Sequence, residues 1–144
     1  MTVSRPAAVV ILAAGAGTRM KSQFPKVLHP ICGASMLDHV LAAARELSPA
    51  ELIVVVGHGR RQVAAHLGRH APDARVVVQD WQGGTGHAVR TVTETVGFGH
   101  GTVVVTYGDT PLLRGRTLAA LLRRHAAEGA AATALTTVMA DPTG

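Results

Sequence analysis

The sequence is poor in aromatic and charged residues and contains a single cysteine. Aromatic residues make up 3% and charged residues 16% of its 144 positions, so Ala, Val and Leu must fill the interior. Hydrophobic residues at 47% supply enough apolar surface for one folded domain, and this composition argues against intrinsic disorder. The lone cysteine, Cys32, excludes an internal disulfide and a multi-cysteine zinc site, and we expect it to be a small core residue.

Long apolar runs and long basic runs are also missing. No stretch approaches the roughly 20 apolar residues of a membrane span, and the N-terminus lacks the apolar segment of a secretion signal. We therefore expect a cytoplasmic protein without membrane insertion. The formal net charge is +5, but basic residues cluster at most in pairs, which argues against a nucleic-acid partner. Only two of the fourteen basic residues are lysines, Lys21 and Lys26.

Apolar periodicity predicts an α/β fold in which strands alternate with helices. Continuous Val-rich and Ile-rich runs predict buried parallel strands at residues 7–14, 52–56, 75–78, 102–106 and 131–138. Helical spacing occurs at residues 36–47, behind a capping box of Ser35 and Asp38, and again at 63–67, 85–92 and 118–122, the last ending at Gly129. This alternation favours a Rossmann-like, three-layer α/β/α fold whose mostly parallel sheet binds ligands beyond the carboxyl ends of its strands.

The loop after the first strand has the composition of a phosphate-binding turn. Gly15 and Gly17 let backbone N–H groups approach an anion, and Arg19 and Lys26 can neutralise its charge. A dinucleotide fingerprint fails because its third glycine would fall at Met20 and the expected acidic residue is absent. No Gly-Lys-Ser/Thr of a Walker motif occurs either.

Two later loops carry the remaining candidate ligand groups. The carboxamide of Gln79 offers a donor and an acceptor, which suits a pyrimidine edge, and Gly84 and Thr85 follow it, although Thr85 can also simply cap the next helix. In the loop after the fourth strand, Asp109 stands where Mg²⁺ ligands commonly lie in phosphoryl-transfer enzymes. Its alternative role is to cap the following turn.

The eight histidines invite a metal site, but the sequence shows no complete ligand set. His66 and His70 are four residues apart without an evident third ligand, and we interpret them as a surface pair. His87 is expected to pack at a helix start, and His58 to make a loop hydrogen bond.

Together the three loops resemble the pyrophosphorylase domain of the bifunctional GlmU proteins, the N-acetylglucosamine-1-phosphate uridyltransferases. That family's Leu-Ala-Ala-Gly-x-Gly-Thr-Arg-Met and Pro-Lys-Val-Leu-His occur at residues 12–20 and 25–29. Its Gln-x-x-Gln-x-Gly-Thr-Gly-His-Ala occurs at 79–88, and its Tyr-Gly-Asp-x-Pro-Leu at 107–112. The resemblance covers the whole chain, and it implies the nucleotide-diphospho-sugar transferase fold.

The resemblance implies transfer of UMP from UTP to N-acetylglucosamine 1-phosphate, with Mg²⁺ as cofactor, for cell-envelope precursor synthesis. It assigns catalysis to Arg19 and Lys26, and the metal to Asp109. The implied substrate-binding residues are Leu12, Ala13, Ala14, Gly15, Lys26, Gln79, Gly84, Thr85, Tyr107, Gly108 and Asp109.

Part of the family's machinery has no counterpart in this sequence. The family's second metal ligand, most of its sugar contacts and the acetyltransferase domain associated with homotrimers come from later sequence. We therefore expect residues 1–144 to be the N-terminal portion of a nucleotidyltransferase domain. A nucleotide-binding module without turnover and a related enzyme that uses another sugar phosphate or CTP remain alternatives.

Overall fold

The computed structural model describes residues 5–141 and shows alternating strands and helices. The strands are β1 (Ala8–Ala13), β2 (Pro30–Ile31), β3 (Ala34–Ser35), β4 (Glu51–Val56), β5 (Arg75–Val78) and β6 (Val103–Tyr107). The α-helices are α1 (Met36–Arg45), α2 (Arg60–His70), α3 (Gly84–Thr95) and α4 (Gly115–Glu128). Four of the five predicted strands and all four predicted helices are thereby confirmed.

Four strands form one sheet, in the order β5-β4-β1-β6. Every neighbouring pair in this sheet is parallel, as the continuous apolar runs predicted. The short strands β2 and β3 form a separate antiparallel hairpin before α1. Since β1 pairs with β4 on one side and with β6 on the other, it is an interior strand of the sheet.

Helices cover both faces of the sheet and create two apolar clusters. On one face, alternate residues of β1 such as Val9 and Ile11 pack with the apolar sides of α1, α2 and α4. On the other face, Val10 and its neighbours pack against Ala88 and Val92 of α3. The predicted three-layer α/β/α arrangement is therefore present, with three helices on one face and one on the other.

The first helix begins at the predicted capping box. Ser35 accepts a hydrogen bond from the Asp38 N–H at 3.0 Å, and the Ser35 N–H donates to Asp38 Oδ2 at 3.1 Å. His66 Nε2 on α2 donates to Asp38 Oδ1 at 2.8 Å. Burial raises the pKa of Asp38, but the hydrogen bonds from His66 and Ser35 outweigh it and hold this pKa below its usual value. The capping box thus also ties α1 to α2.

Residues 131–138, predicted as a fifth strand, are irregular in the structure. Gly129 ends α4 in the left-handed conformation, as predicted, with φ 55°. The chain then turns back along the helix, where His125 Nδ1 lies 3.0 Å from Thr133 Oγ1. Leu135 and Val138 are exposed, so the segment buries neither of its larger apolar side chains. Strand propensity alone does not form a strand without a hydrogen-bonded partner and a buried face.

Cys32, expected to be a core residue, is exposed. It occupies the turn between β2 and β3 with φ 50°, so its position is set by the hairpin rather than by its hydrophobicity. The prediction failed because β2 and β3 are only two residues long each, too short for their pattern to be detected in the sequence.

None of the helices within residues 5–141 combines the length and apolar character that a membrane crossing requires.

Replacing Ser35 with Ala should lower the free energy of unfolding by about 1–2 kcal/mol, because it removes the capping hydroxyl. Chemical denaturation monitored by circular dichroism measures this change. Thr93→Ala is the matched control, since it also deletes a helix hydroxyl, at an exposed site where Thr93 donates to the Val89 carbonyl. We expect the control to change stability by less than about 0.5 kcal/mol; equal effects of the two variants would contradict the capping role.

Candidate functional site

A cavity of about 340 Å³ opens at the carboxyl ends of the sheet strands, where the predicted loops meet. It is lined by all of the predicted site residues except Gly108. Residues from all three predicted loops therefore share one cavity. The lining consists of Leu12, Ala13, Ala14, Gly15, Gly17, Thr18, Arg19, Met20, Lys26, Val27, Gln79, Gln82, Gly84, Thr85, Ala88, Tyr107 and Asp109.

The glycine-rich loop folds back over the lysine that follows it. Gly17 adopts a left-handed conformation with φ 59° and is followed by a short 3-10 helix, Thr18–Met20. A Cβ atom on Gly17 would lie 2.8 Å from Lys26 Cβ, so both the backbone angle and the close approach require glycine here. The loop therefore contacts Lys26 directly. Arg19, which is exposed, lines the same cavity.

The residues that flank Lys26 in the chain are held by close packing and by hydrogen bonds. Pro25 packs so closely on Gly59 that a Cβ at Gly59 would lie 2.6 Å from Pro25 Cγ. Residues Lys26–Leu28 form a second 3-10 helix. His29 Nδ1 lies 3.2 Å from the carbonyl oxygens of both Pro25 and Lys26 and donates to them. The Pro-Lys-Val-Leu-His segment is therefore a rigid support that directs one lysine into the cavity.

That lysine pairs with the aspartate of the third loop. Lys26 Nζ lies 2.7 Å from Asp109 Oδ2, and the two side chains are 30% and 33% exposed. Asp109 follows β6, whereas Lys26 lies 83 residues earlier in the chain. Tyr107, the last residue of β6, lines the cavity beside them. Buried Gly108 lies below, where its N–H donates to the Leu12 carbonyl at 2.9 Å, which joins the third loop to the end of β1.

Gln79 is buried at 5% exposure, and its carboxamide is held by two neighbours. Its Nε2 donates to the Gly84 carbonyl at 3.2 Å and to His87 Nδ1 at 2.8 Å. The His87 ring in turn lies against Trp81, with centroids 4.0 Å apart and ring planes tilted by 31°. Within residues 5–141, both hydrogen bonds of this carboxamide use Nε2, so Oε1 is the atom that can accept a bond from a ligand. His87 thus orients Gln79 as well as packing at the helix start.

The N-terminus of α3 faces the cavity with its backbone donors. The helix begins at Gly84, its N-cap is Gly83, and no side chain of the described residues caps it. Thr85 therefore lies inside the first turn, so the sequence's alternative role for it as the cap is wrong. Uncapped N–H groups at a helix N-terminus attract anions and hydrogen-bond acceptors.

Some lining residues were not singled out from the sequence. Gln82 is the most informative, because its Nε2 donates to the Ala14 carbonyl at 3.0 Å and so links the second loop to the end of β1. Its place three residues after Gln79, within the motif at residues 79–88, was the available signal. Met20 and Val27 also line the cavity, but apolar residues next to a loop carry no comparable signal.

Comparison with known families identifies the type of domain. Residues 9–141 match the model of the MobA-like NTP transferase domain. The chain is 59% identical over 145 residues to the bifunctional protein GlmU of Streptomyces coelicolor, a match that covers 100% of this chain and 30% of that protein. The chain thus spans about a third of the length of the curated relatives it matches.

Solved structures share the fold. A nucleotidyl transferase from Methanothermobacter thermautotroptrophicus has a TM-score of 0.69 and 25% identity, over 83% of this chain and 58% of that one. The Mycobacterium tuberculosis H37Rv protein Rv0371C, in a complex with manganese, has a TM-score of 0.61 and 27% identity, over 85% of this chain and 58% of that one. The nucleotide-diphospho-sugar transferase fold expected from the sequence is confirmed.

Gly17→Ala should lower the free energy of unfolding by about 1–3 kcal/mol, since it places a side chain in the left-handed region and against Lys26. Thermal and denaturant unfolding measure the loss. Gly68→Ala is the matched control, because Gly68 lies in α2 with open space around it; this change should raise stability by about 0.5–1 kcal/mol. A Gly17→Ala protein as stable as the parent would contradict the steric argument.

Proposed function

Because the chain belongs to the family of MobA-like NTP transferase domains, we propose that its cavity binds UTP together with a divalent cation. We further propose that this site transfers UMP from UTP to N-acetylglucosamine 1-phosphate. One observation carries the proposal. The cavity holds the Lys26–Asp109 pair, the uncapped α3 N-terminus and the Gln79 carboxamide together, which are groups for a polyphosphate, a metal ion and a base.

Gln79 is the proposed reader of the base. With Nε2 engaged by Gly84 and His87, Oε1 offers an acceptor to the cavity. Uracil presents an N3–H donor, whereas cytosine presents an unprotonated N3 at the same position, so an acceptor fixed there favours UTP over CTP. When other hydrogen bonds fix the orientation of a carboxamide, its one remaining hydrogen bond can discriminate between two bases.

Lys26, Arg19 and Asp109 are the proposed groups for the triphosphate and its metal ion. A cavity-lining carboxylate that is one-third exposed suits Mg²⁺, which takes one or two carboxylates and completes its shell with phosphates and water. The ion would neutralise charge on the phosphates. Lys26 Nζ contacts Asp109 Oδ2, so Lys26 would become available to phosphate when a cation engages this carboxylate.

The proposed reaction is an in-line displacement. An oxygen of the sugar 1-phosphate attacks the α-phosphorus of UTP, a new P–O bond forms, and the bond to the bridging β-phosphate oxygen breaks as pyrophosphate leaves. The nucleophile is already anionic, so no general base is required. Lys26 and Arg19 stabilise charge on the departing pyrophosphate, and the chain contributes positioning and charge neutralisation.

We propose a cytoplasmic location for the protein, since the proposed reaction consumes UTP and supplies an envelope precursor. Homotrimers, with which full-length members of the family are associated, are proposed only for proteins that also carry the family's acetyltransferase domain.

Calorimetric titration of UTP with and without Mg²⁺ tests the proposal. We expect Mg²⁺-dependent UTP binding that CTP and ATP compete with poorly.

Asp109→Asn should abolish the Mg²⁺ dependence of UTP binding. Lys26→Ala should weaken UTP binding about ten- to hundredfold while affecting the binding of uridine much less. Formation of UDP-N-acetylglucosamine and pyrophosphate then distinguishes the enzyme from a binding module. A folded chain whose UTP binding ignores both variants would refute this site.

Gln79→Ala should reduce the preference for UTP over CTP about tenfold or more, because the fixed acceptor is lost. Competition binding with the two nucleotides measures the ratio. Gln62→Ala removes an exposed carboxamide on α2 and serves as the control. An unaltered base preference in the Gln79 variant would assign base recognition to the backbone of the α3 N-terminus instead.

A further inference from the structure

A second cluster of potential metal ligands lies between α1 and α2, separate from the nucleotide cavity. Asp38 of α1 and His66 and His70 of α2 each offer one ligand atom, and these atoms all lie within 4.8 Å of one another. Among residues 5–141 this is the only group of three or more such side chains placed so closely. None of the three lines the cavity, so the proposed nucleotidyltransferase reaction does not account for their proximity.

The two histidines share one face of α2. A spacing of four residues places side chains one above the other on a helix, and the two imidazole rings stack with centroids 4.2 Å apart and an interplanar angle of 8°. In known zinc sites on a helix, the two zinc-binding histidines are also four residues apart. The sequence alone offered this pair without a third ligand; the tertiary structure brings Asp38 to it.

We propose that Asp38, His66 and His70 bind a Zn²⁺ ion. Two imidazole nitrogens and one carboxylate oxygen form the donor set of zinc sites with three protein ligands, in which water completes a tetrahedron. Donor atoms around such an ion are about 3.3–3.5 Å apart, given zinc–ligand distances of about 2.0–2.2 Å. The cluster reaches that spacing by small side-chain rotations, and exposed His70 has room for them.

The neighbouring groups already orient two of the three ligands. The Ser35 N–H holds Asp38 Oδ2 at 3.1 Å, which directs Oδ1 toward His66 Nε2 at 2.8 Å. Their side chains are 20% and 13% exposed, so both are largely shielded and yet open to an ion from the His70 side. Zn²⁺ would replace the proton that His66 donates to Asp38, and this proton would pass to solvent. Hydrogen bonds to ligands from a second layer of groups are characteristic of metal sites.

The competing explanation is that His66 and Asp38 form only a structural hydrogen bond, beside which His70 stacks. His70 separates the two explanations. A structural bond between His66 and Asp38 does not require the third side chain, whereas a three-ligand site does. Because His70 is exposed near the end of α2, its replacement leaves the apolar core intact.

The test is titration of the tag-free 144-residue chain with Zn²⁺ by calorimetry and with Co²⁺ by visible absorption, where tetrahedral cobalt gives intense bands. We expect one ion per chain, and an increase of the melting temperature with Zn²⁺, since an ion that bridges α1 and α2 binds only the folded state. His70→Gln and His66→Gln should each weaken Zn²⁺ binding at least about tenfold. Circular dichroism confirms that each variant is folded.

Two control variants locate the ion. His100→Gln removes an exposed histidine outside the cluster, and Asp109→Asn removes the carboxylate of the nucleotide cavity. Unchanged Zn²⁺ affinity in both, together with the loss in His70→Gln, supports the site. The proposal is overturned if the chain does not bind one equivalent of Zn²⁺, if His70→Gln binds as tightly as the parent, or if Asp109→Asn abolishes binding.

Discussion

The burial of β1 between two parallel neighbours is the constraint on which the rest of the structure depends. Its residues pair with β4 and β6 along almost their whole length, and both of its faces are covered by helices. Parallel pairing brings the carboxyl ends of the strands to one edge, so the loops that follow them must meet there. The backbone bond from Gly108 to the Leu12 carbonyl and the Gln82 bond to the Ala14 carbonyl extend this alignment beyond the sheet.

Close packing, rather than many polar contacts, positions the charged groups of the cavity. Gly17 lies against Lys26 from one side, and Pro25 rests on Gly59 on the other. The segment that carries Lys26 is therefore fixed by packing, and its partner Asp109 follows closely after the end of β6. At a site proposed for a triphosphate and its metal ion, a lysine–carboxylate pair holds both side chains in place, and their opposite charges neutralise each other.

The same capping box serves two parts of the molecule. Ser35 and Asp38 begin α1, and Asp38 also joins α2 through His66. Asp38 Oδ1 faces α2, and this second oxygen of the capping carboxylate can therefore act as a metal ligand. A local motif of the sequence thereby acquires a further role through its tertiary neighbours, and the zinc site proposed there is independent of the nucleotide cavity.

Local patterns in the sequence predicted four of the strands, the four helices, the capping box, the Gly129 helix end and the loops that form the cavity, because each leaves a signal in residues close together in the chain. The parallel sheet was inferred from the alternation of those strands and helices. Residues 131–138 failed as a strand because a ladder partner and a buried face are tertiary conditions, and Cys32 failed because a short hairpin set its exposure. Only the tertiary structure decided which distant groups meet. The Lys26–Asp109 pair spans 83 residues and the contact between Asp38 and His66 spans 28, and contacts over such separations are set by how helices and loops pack on the sheet.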